Sequence, residues 1–322
     1  MTTTEIILQQ LITGLSNGLI IALVALGYTM VYGIIELINF AHGDLVMLGA
    51  FAALTLIGAC GFAPAADGGI PWGPLALLLL TVPVFTAGLN WSVDRLAYRP
   101  IRSAPKLTAL VTAIGVSFIF INLGLFWGGL PMEVFGGGRA ASASKDVPDL
   151  IGNHNLLGKD AALMLTAKDV LVAVITLPLL AALSWFVRHT RTGTAMRAVA
   201  QNPVAARLMG IDVDRVIGTT FVIGGALAGV AAVILALYNN TISFQMGFRC
   251  GMDAFTAAVL GGIGNLPGAV LGALLIGVVR ALMEGLVPGG GQWSTTVVFT
   301  VLILVLVFRP TGLLGAKLRE KV

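Results

Sequence analysis

The sequence predicts an all-α integral membrane protein, a polytopic helical bundle of about eight or nine membrane segments, some of them broken. Three observations carry this. Of 322 residues, 57% are hydrophobic and only 11% are charged, with a mean hydropathy of +0.95. A water-soluble domain of this size covers its surface with far more charge. Several apolar runs reach the ~20 residues that a helix needs to cross a ~30 Å hydrocarbon core. Finally, glycine and proline interrupt the apolar sequence where a simple span would run on.

The membrane segments read, in order, as residues 6–32, 45–59, 72–93, 107–127, 170–187, 216–237, 267–286 and 293–308, with a shorter piece at 254–263. The first lacks a basic start, and its apolar region is too long for a cleavable signal. Thirteen of the nineteen Lys and Arg fall in three short hydrophilic segments, 95–106, 188–215 and 309–321. Such a bias marks the cytoplasmic side. It also accounts for a pI near 9.3 without any nucleic-acid partner. The segment 128–167 mixes Arg139, Lys145 and Lys159 with Glu133, Asp146, Asp149 and Asp160, and reads as the outer loop. Parity then tests the short piece. The sixth segment leaves the cytoplasm from 188–215, and the basic tail must return to it. Three crossings do this and two do not, so 254–263 traverses at least part of the membrane. The same count puts the N-terminus outside.

Two stretches read as breaks at membrane depth. "VLGGIGNLPGAVLG" (259–272) carries glycines and Pro267, and "ELINFAHGD" (36–44) follows a long apolar run. Irregular backbone there must be buried in protein or line a water-filled cavity. Broken segments in both halves are a habit of transporters built from repeats. The 41 glycines suit close helix packing in lipid.

Catalytic chemistry is not in view. "GNHNLLGKD" has five residues between Gly152 and Gly158 where a phosphate loop has four, and Asp160 where a Ser or Thr is needed. "GIGNLP" has Pro267 where a dinucleotide fingerprint has glycine. His42, His154 and His189 lack metal-ligand spacing. Cys60 and Cys250 read as small packing residues. No cofactor, metal or catalytic residue is expected.

Ionisable groups inside a membrane are costly and tend to line a pathway or pair with one another. Arg280 and Glu284, four apart on one helix, read as a local ion pair. Asp253 reads as a cap for the short helix or as a pathway group. Glu36, Asn39, His42 and Asp44 in the first break, and Gly261, Gly262, Gly264 and Asn265 in the second, are candidates for lining the pathway. For the first group a solvated turn is the alternative.

The stretch "VAQNPVAARLMGID" (199–212) predicts a two-turn helix at 203–209 outside the membrane segments. Asn202 is a good N-cap, Pro203 suits the first turn, and Gly210 suits a left-handed stop. So short a helix is marginal alone and needs a surface to lean on. Val204, Leu208 and Met209 offer apolar contacts, and Arg207 a charge.

This segment resembles the cytoplasmic coupling loop of ABC importer permeases. Further stretches resemble the branched-chain amino-acid permease family of LivH type: "LGYTMVYGIIELINFAHGDLVMLGAF" (26–51), "RLAYRPIRSAPKLTALVTAIG" (95–115), "GIDVDRVIGTTFVIGGALAG" (210–229), "FTAAVLGGIGNLPGAVLGALLIG" (255–277) and "RPTGLLG" (309–315). They cover nearly the whole chain in the family's order. The LivM-type partner usually carries a longer N-terminal extension. The resemblance implies one transmembrane domain over 1–322, in the inner membrane of a bacterium. It also implies a second permease of LivM type, two ATP-binding cassette subunits and an extracytoplasmic substrate-binding protein. Asn202, Pro203, Val204, Arg207, Leu208 and Gly210 would then couple to the ATPases. The expected cargo is Leu, Ile or Val, with urea or amides as the alternative within the family. A stand-alone transporter coupled to protons or sodium through Glu36, Asp44 or Asp253 is the rival from another class.

Overall fold

The computed structural model describes residues 2–35, 39–63, 70–102, 104–138, 140–158 and 161–315. Glu36 lies outside the described residues, as do Arg139, Lys159 and Asp160 of the expected outer loop and Lys317, Arg319 and Lys321 of the tail. The chain runs α1 (Thr3–Ile35), α2 (Ala41–Cys60), α3 (Trp72–Val93), α4 (Lys106–Gly128), α5 (Ala167–His189), α6 (Arg191–Gln201), α7 (Pro203–Leu208), α8 (Val213–Asn239), α9 (Met246–Gly261), α10 (Leu266–Leu286) and α11 (Gly290–Phe308). Among the described residues, eight helices are long and apolar enough to cross a membrane. The shorter α9, at 1.5 Å per residue, reaches only about 24 Å.

The helices form two shells. α1, α2 and α8 are mostly buried, whereas α3, α4, α5 and α11 turn much of their apolar surface outward. A helix that is apolar all round belongs in a core or against lipid, and this bundle uses both. Small residues make the close seams. Gly14 and Gly18 of α1 lie against the α10 backbone around Gly277, and Gly225 and Gly229 of α8 lie against Pro83 and Thr86 of α3. In lipid, where no hydrophobic force pulls helices together, such contact lets dispersion attraction act between backbones.

α2 and α9 both begin inside the bundle. His42, in the first turn of α2, lies against Gly27, two turns before the end of α1, while the end of α1 runs on until Gly33 meets Gly264. The start of α9 lies beside the start of α2, with Gly43 packed on Gly247 and Gly251. From there the two part. α2 runs to Gly58 against Val134, and α9 runs to Gly261, where Leu260 and Gly261 accept bonds from the amides of Leu313 and Leu314.

The segment expected as the outer loop is folded down on the bundle. A 3₁₀ turn (Glu133–Gly138) drops Phe135 into the core, stacked on Phe51 with ring centroids 5.9 Å apart. The two-residue strand β1 (Lys145–Asp146) pairs antiparallel with β2 (Thr241–Ile242). Lys145 is buried, donating to the carbonyls of Phe135 (3.1 Å) and Ala140 (2.6 Å). Buried Lys168 meets Asp149 at 2.8 Å and also bonds the Asn240 side chain. Next to it Thr166 and Asp169 form a capping box on α5, and Asp169 accepts from Ser16 (2.7 Å) and Tyr238 (3.0 Å).

Two expectations are corrected. Arg280 does not pair with Glu284. Its guanidinium forks onto Asp253 at 2.6 and 2.7 Å, joining α10 to α9. Asp253 is no cap, because α9 starts seven residues earlier, at Met246. Charge at Arg249 and Asp253 argues against a membrane helix when read locally. In the fold, the bidentate partner supplied by α10 makes Asp253 tolerable there.

Candidate functional site

The short helix forms as its caps dictate. The Asn202 side-chain oxygen accepts from the amides of Val204 and Ala205, both at 3.0 Å, and Pro203 fills the first turn. At the other end Gly210 donates to Arg207 and Ile211 to Ala206, both at 3.0 Å, while Gly210 takes φ +82°. That pair of bonds is a Schellman stop, and its left-handed residue suits glycine. α7 is thus closed at both ends by its own residues, which compensates for a length too short to be stable alone.

Its burial is one-sided. Ala206 alone is packed inside, whereas Val204, Leu208 and Met209 are 67%, 84% and 82% exposed and Arg207 is exposed as well. Around it, α6 buries Gly193, Met196 and Val199 at helical spacing, and Asp212 caps α8 by accepting from the Arg215 amide at 3.0 Å. The start of α8 is also tied to the end of α3. Arg102 bonds both Asp94 and Asp214, and Arg99 reaches Asp214 at 3.4 Å. A displacement of α7 would therefore reach α8 and α3 through short, polar connections.

Three of the four polar residues read from the first break, Asn39, His42 and Asp44, are buried in the bundle, each against a different neighbour. The Asn39 side-chain oxygen accepts from the Tyr98 hydroxyl at 3.1 Å, and one Asp44 oxygen accepts from Ser117 of α4. The His42 ring stands edge-on to Tyr28 at 5.2 Å. Among the described residues, both His42 ring nitrogens, the other Asp44 oxygen, the Asn39 amide nitrogen and the Thr29 hydroxyl lack partners. Buried polar atoms are seldom left so. Among these atoms the Asp44 oxygen, the Thr29 hydroxyl and one nitrogen of a neutral His42 can accept, from a proton, a cation or an ammonium group, while the Asn39 amide nitrogen can donate. Tyr28, Tyr98 and Ser117 were not visible as members, since nothing local in sequence joins them to residue 42.

The second break is built differently. The helix stops at Gly261, Gly262 and Gly264 take φ +107° and +83°, and α10 restarts with Asn265 as its cap, accepting from Gly268 at 3.1 Å. Asn265 also donates to the Leu314 carbonyl at 2.6 Å. The bonds from Leu313 and Leu314 satisfy the Leu260 and Gly261 carbonyls at the end of α9. The two groups of candidate residues are not one site. The second turn lies against Gly33, whereas His42 lies against Gly27.

Comparison with known proteins fits this geometry. The family described as branched-chain amino acid transport system, permease component, matches residues 10–306. The chain belongs to this family. It is 40% identical over 320 residues to the high-affinity branched-chain amino acid transport system permease protein BraD of Pseudomonas aeruginosa, covering 98% of each chain. It is 39% identical over 317 residues to the corresponding LivH of Escherichia coli, covering 98% of this chain and 97% of that one. A partial likeness, 31% over 140 residues and 42% of this chain, links it to the autoinducer 2 import system permease protein LsrC of Yersinia pseudotuberculosis. No solved structure matches the chain. The permease is thus a multi-pass protein of the inner membrane and a component of a transport system, with no enzyme in its family description.

Proposed function

We propose that this chain is a membrane permease subunit of an ATP-driven importer of Leu, Ile and Val. It works beside a second permease of LivM type and two ATP-binding cassette subunits, and a binding protein outside the membrane delivers the substrate. Residues 1–322 act as one transmembrane domain, with 128–167 outside and 188–215 in the cytoplasm. ATP hydrolysis resides in the cassette subunits. Their closure moves α7, and the bundle switches from outward- to inward-open.

The observation that carries this reading is α7 itself. An aqueous-side helix held to its bundle by Ala206, with Val204, Leu208 and Met209 outward, is shaped for a partner. Apolar side chains turned outward together from so short a helix suit an interaction site. The Asn39–Asp44 cluster and the Gly261–Asn265 turn are assigned to the pathway. The support is the unpaired polar atoms of Asn39, His42 and Asp44 and the positive-φ break at Gly262 and Gly264.

A second reading has one observation in its favour. The unpaired Asp44 oxygen suits a chain coupled to protons or sodium with no ATPase. Reconstituted vesicles separate the two. The expected result is that uptake of radiolabelled leucine needs the cassette subunits, the binding protein and internal or external ATP on the cassette side. Uptake by this chain alone under a proton or sodium gradient would overturn the assignment.

A further inference from the structure

Arg95 and Arg215 both line a cleft of about 450 Å³ between the end of α3 and the start of α8. The end of α3 is not an ordinary helix there. Residues Asp94–Tyr98 form a π-helical turn, which shifts the register of the side chains that follow. Both arginines are exposed.

The acids in the cleft are engaged elsewhere. Asp94 and Asp214 are held by Arg102, Asp214 also by Arg99, and Asp212 accepts from the backbone amide that it caps. Among the described residues, Arg95 and Arg215 have neither an ion pair nor a side-chain hydrogen bond. The cleft therefore presents two unengaged guanidinium groups, from two different helices, at one place.

The other end of the same cleft is apolar. Trp91 lies one helical turn before Arg95, and its side chain is 49% exposed. Val222, seven residues after Arg215, is partly exposed on the facing helix. A Trp and an apolar wall at one end and two free arginines at the other match a molecule with a charged head and a greasy body. Arginine's planar fork suits a phosphate group, and Trp is typical of the headgroup level of a bilayer.

We propose that this cleft binds a phosphate oxyanion, that of an anionic phospholipid in the cytoplasmic leaflet, with Arg95 and Arg215 on the phosphate and Trp91 and Val222 along the glycerol and acyl region. The leaflet rests on the topology above, which places this end of the bundle in the cytoplasm. Three arginines and three aspartates line the cleft, so its capacity for an anionic headgroup rests on Arg95 and Arg215, the two arginines not already held by a carboxylate among the described residues. The lipid bridges α3 and α8 beside the Arg102 connection, near α7. An acidic surface of a cassette subunit is the competing occupant.

The full-length permease, alone and with the cassette subunits added, is placed in nanodiscs of phosphatidylcholine with a minor fraction of phosphatidylglycerol, and the lipid retained after gentle release is measured by native mass spectrometry. Wild type should retain phosphatidylglycerol selectively. Arg95→Gln and Arg215→Gln should each lower that retention by about fivefold, from the ~1 kcal/mol per basic residue typical at an anionic surface. The double variant should lower it roughly twentyfold. Arg191→Gln, an exposed basic site outside the cleft, should change nothing, and Arg95→Lys should keep part of the effect. Equal retention by the double variant would overturn the proposal. So would displacement of the lipid by millimolar inorganic phosphate, which would reassign the site to a free anion, or loss of the lipid when the cassette subunits bind. Retention does not depend on cargo or energy source, so it stands or falls apart from the transport assignment. The leaflet is checked by the side from which a cysteine at position 191 is labelled.

Discussion

Asp253 and Arg280 meet through both carboxylate oxygens, at 2.6 and 2.7 Å, and so join the short helix α9 to α10 within the bundle. Each side chain is about one-fifth exposed. α9 is too short to span the hydrocarbon, and this fork helps hold it where α2 and α9 both begin. Removing one partner leaves the other charge without its counter-ion, which costs much more than the pair contributes when intact. Asp253→Ala and Arg280→Ala should therefore each destabilise the detergent-solubilised protein by about 2 kcal/mol or more. The double variant Asp253→Leu with Arg280→Met should recover most of that loss. Thermal unfolding followed by tryptophan fluorescence measures it. A double variant as weak as the singles would show that the residues matter for reasons other than each other.

The polar cluster gives a second expectation. After Cys60 and Cys250 are replaced by alanine, cysteines at Asn39, Asp44 and Asn265 report access to water. If these segments line the pathway, labelling by a small water-soluble thiol reagent should differ between the nucleotide-free and ATP-trapped complexes. In the conformation described here Asn39 and Asp44 are buried, so at least one state should protect them. Protection at all three positions in both states would make them packed structure.

Local chemistry was legible in the sequence, and long-range chemistry was not. The caps of α7 act within a few residues, so Asn202, Pro203 and Gly210 could be read directly and the helix lies within a residue of its expected end. The break at 261–265 is equally local, because only glycine readily takes the positive φ found there. In contrast, the Asp253 partner lies 27 residues away. The Asp253 carboxylate is made tolerable inside the bundle by a residue on another helix. The place where α2 begins was hidden for a similar reason, since hydropathy records how apolar a segment is and not the depth at which it starts. The segment 128–167 read as a loop from its mixed charge. Lys145 of this segment is instead buried against two carbonyls, and its Asp149 meets the buried Lys168 of α5, which composition alone cannot distinguish from a solvated turn.

That folded segment should respond to acid through Asp149. Burial by itself pushes the Asp149 carboxyl up, but the Lys168 ammonium at 2.8 Å and the Asn240 amide outweigh it and hold the carboxyl below its ordinary value. A carboxylate lowered on folding adds stability above its unfolded pKa near 3.9, and that stability is lost as pH falls through the lower folded value. The Val147 amide, which donates to the Asn240 carbonyl at 2.8 Å, reports on the same contact by hydrogen exchange. At pH 6 Val147 should be better protected in wild type than in Asp149→Asn, and the difference should close once the pH is well below about 4. A difference that persists unchanged in strong acid would mean that the Lys168 contact does not depend on the carboxylate charge.

The coupling assignment makes the most demanding prediction, because it requires variants that leave the fold intact while stopping transport. Leu208 is 84% exposed, so Leu208→Glu should change the stability of the isolated permease by no more than about 0.5 kcal/mol. If Leu208 fills a groove on a cassette subunit, the same change should weaken assembly with that subunit by roughly thirtyfold, the ~2 kcal/mol of a buried anchor. Gly210→Val acts at a different point. A β-branched residue at φ +82° is strained by about 1–2 kcal/mol and should loosen the end of α7 without touching the partner surface. Its subunits should still assemble, yet transport and substrate-stimulated ATP hydrolysis should fall together, since both depend on a rigid α7 passing motion to α8. Ala206→Asp should damage the permease itself by placing a charge in the packed face. Three readouts separate these cases: thermal stability of the permease, co-purification of the cassette subunits, and transport with ATP hydrolysis in vesicles. If Leu208→Glu and Gly210→Val both leave assembly and coupled transport at the wild-type level, α7 is a linker resting on its own bundle, and the energy must enter the permease somewhere else.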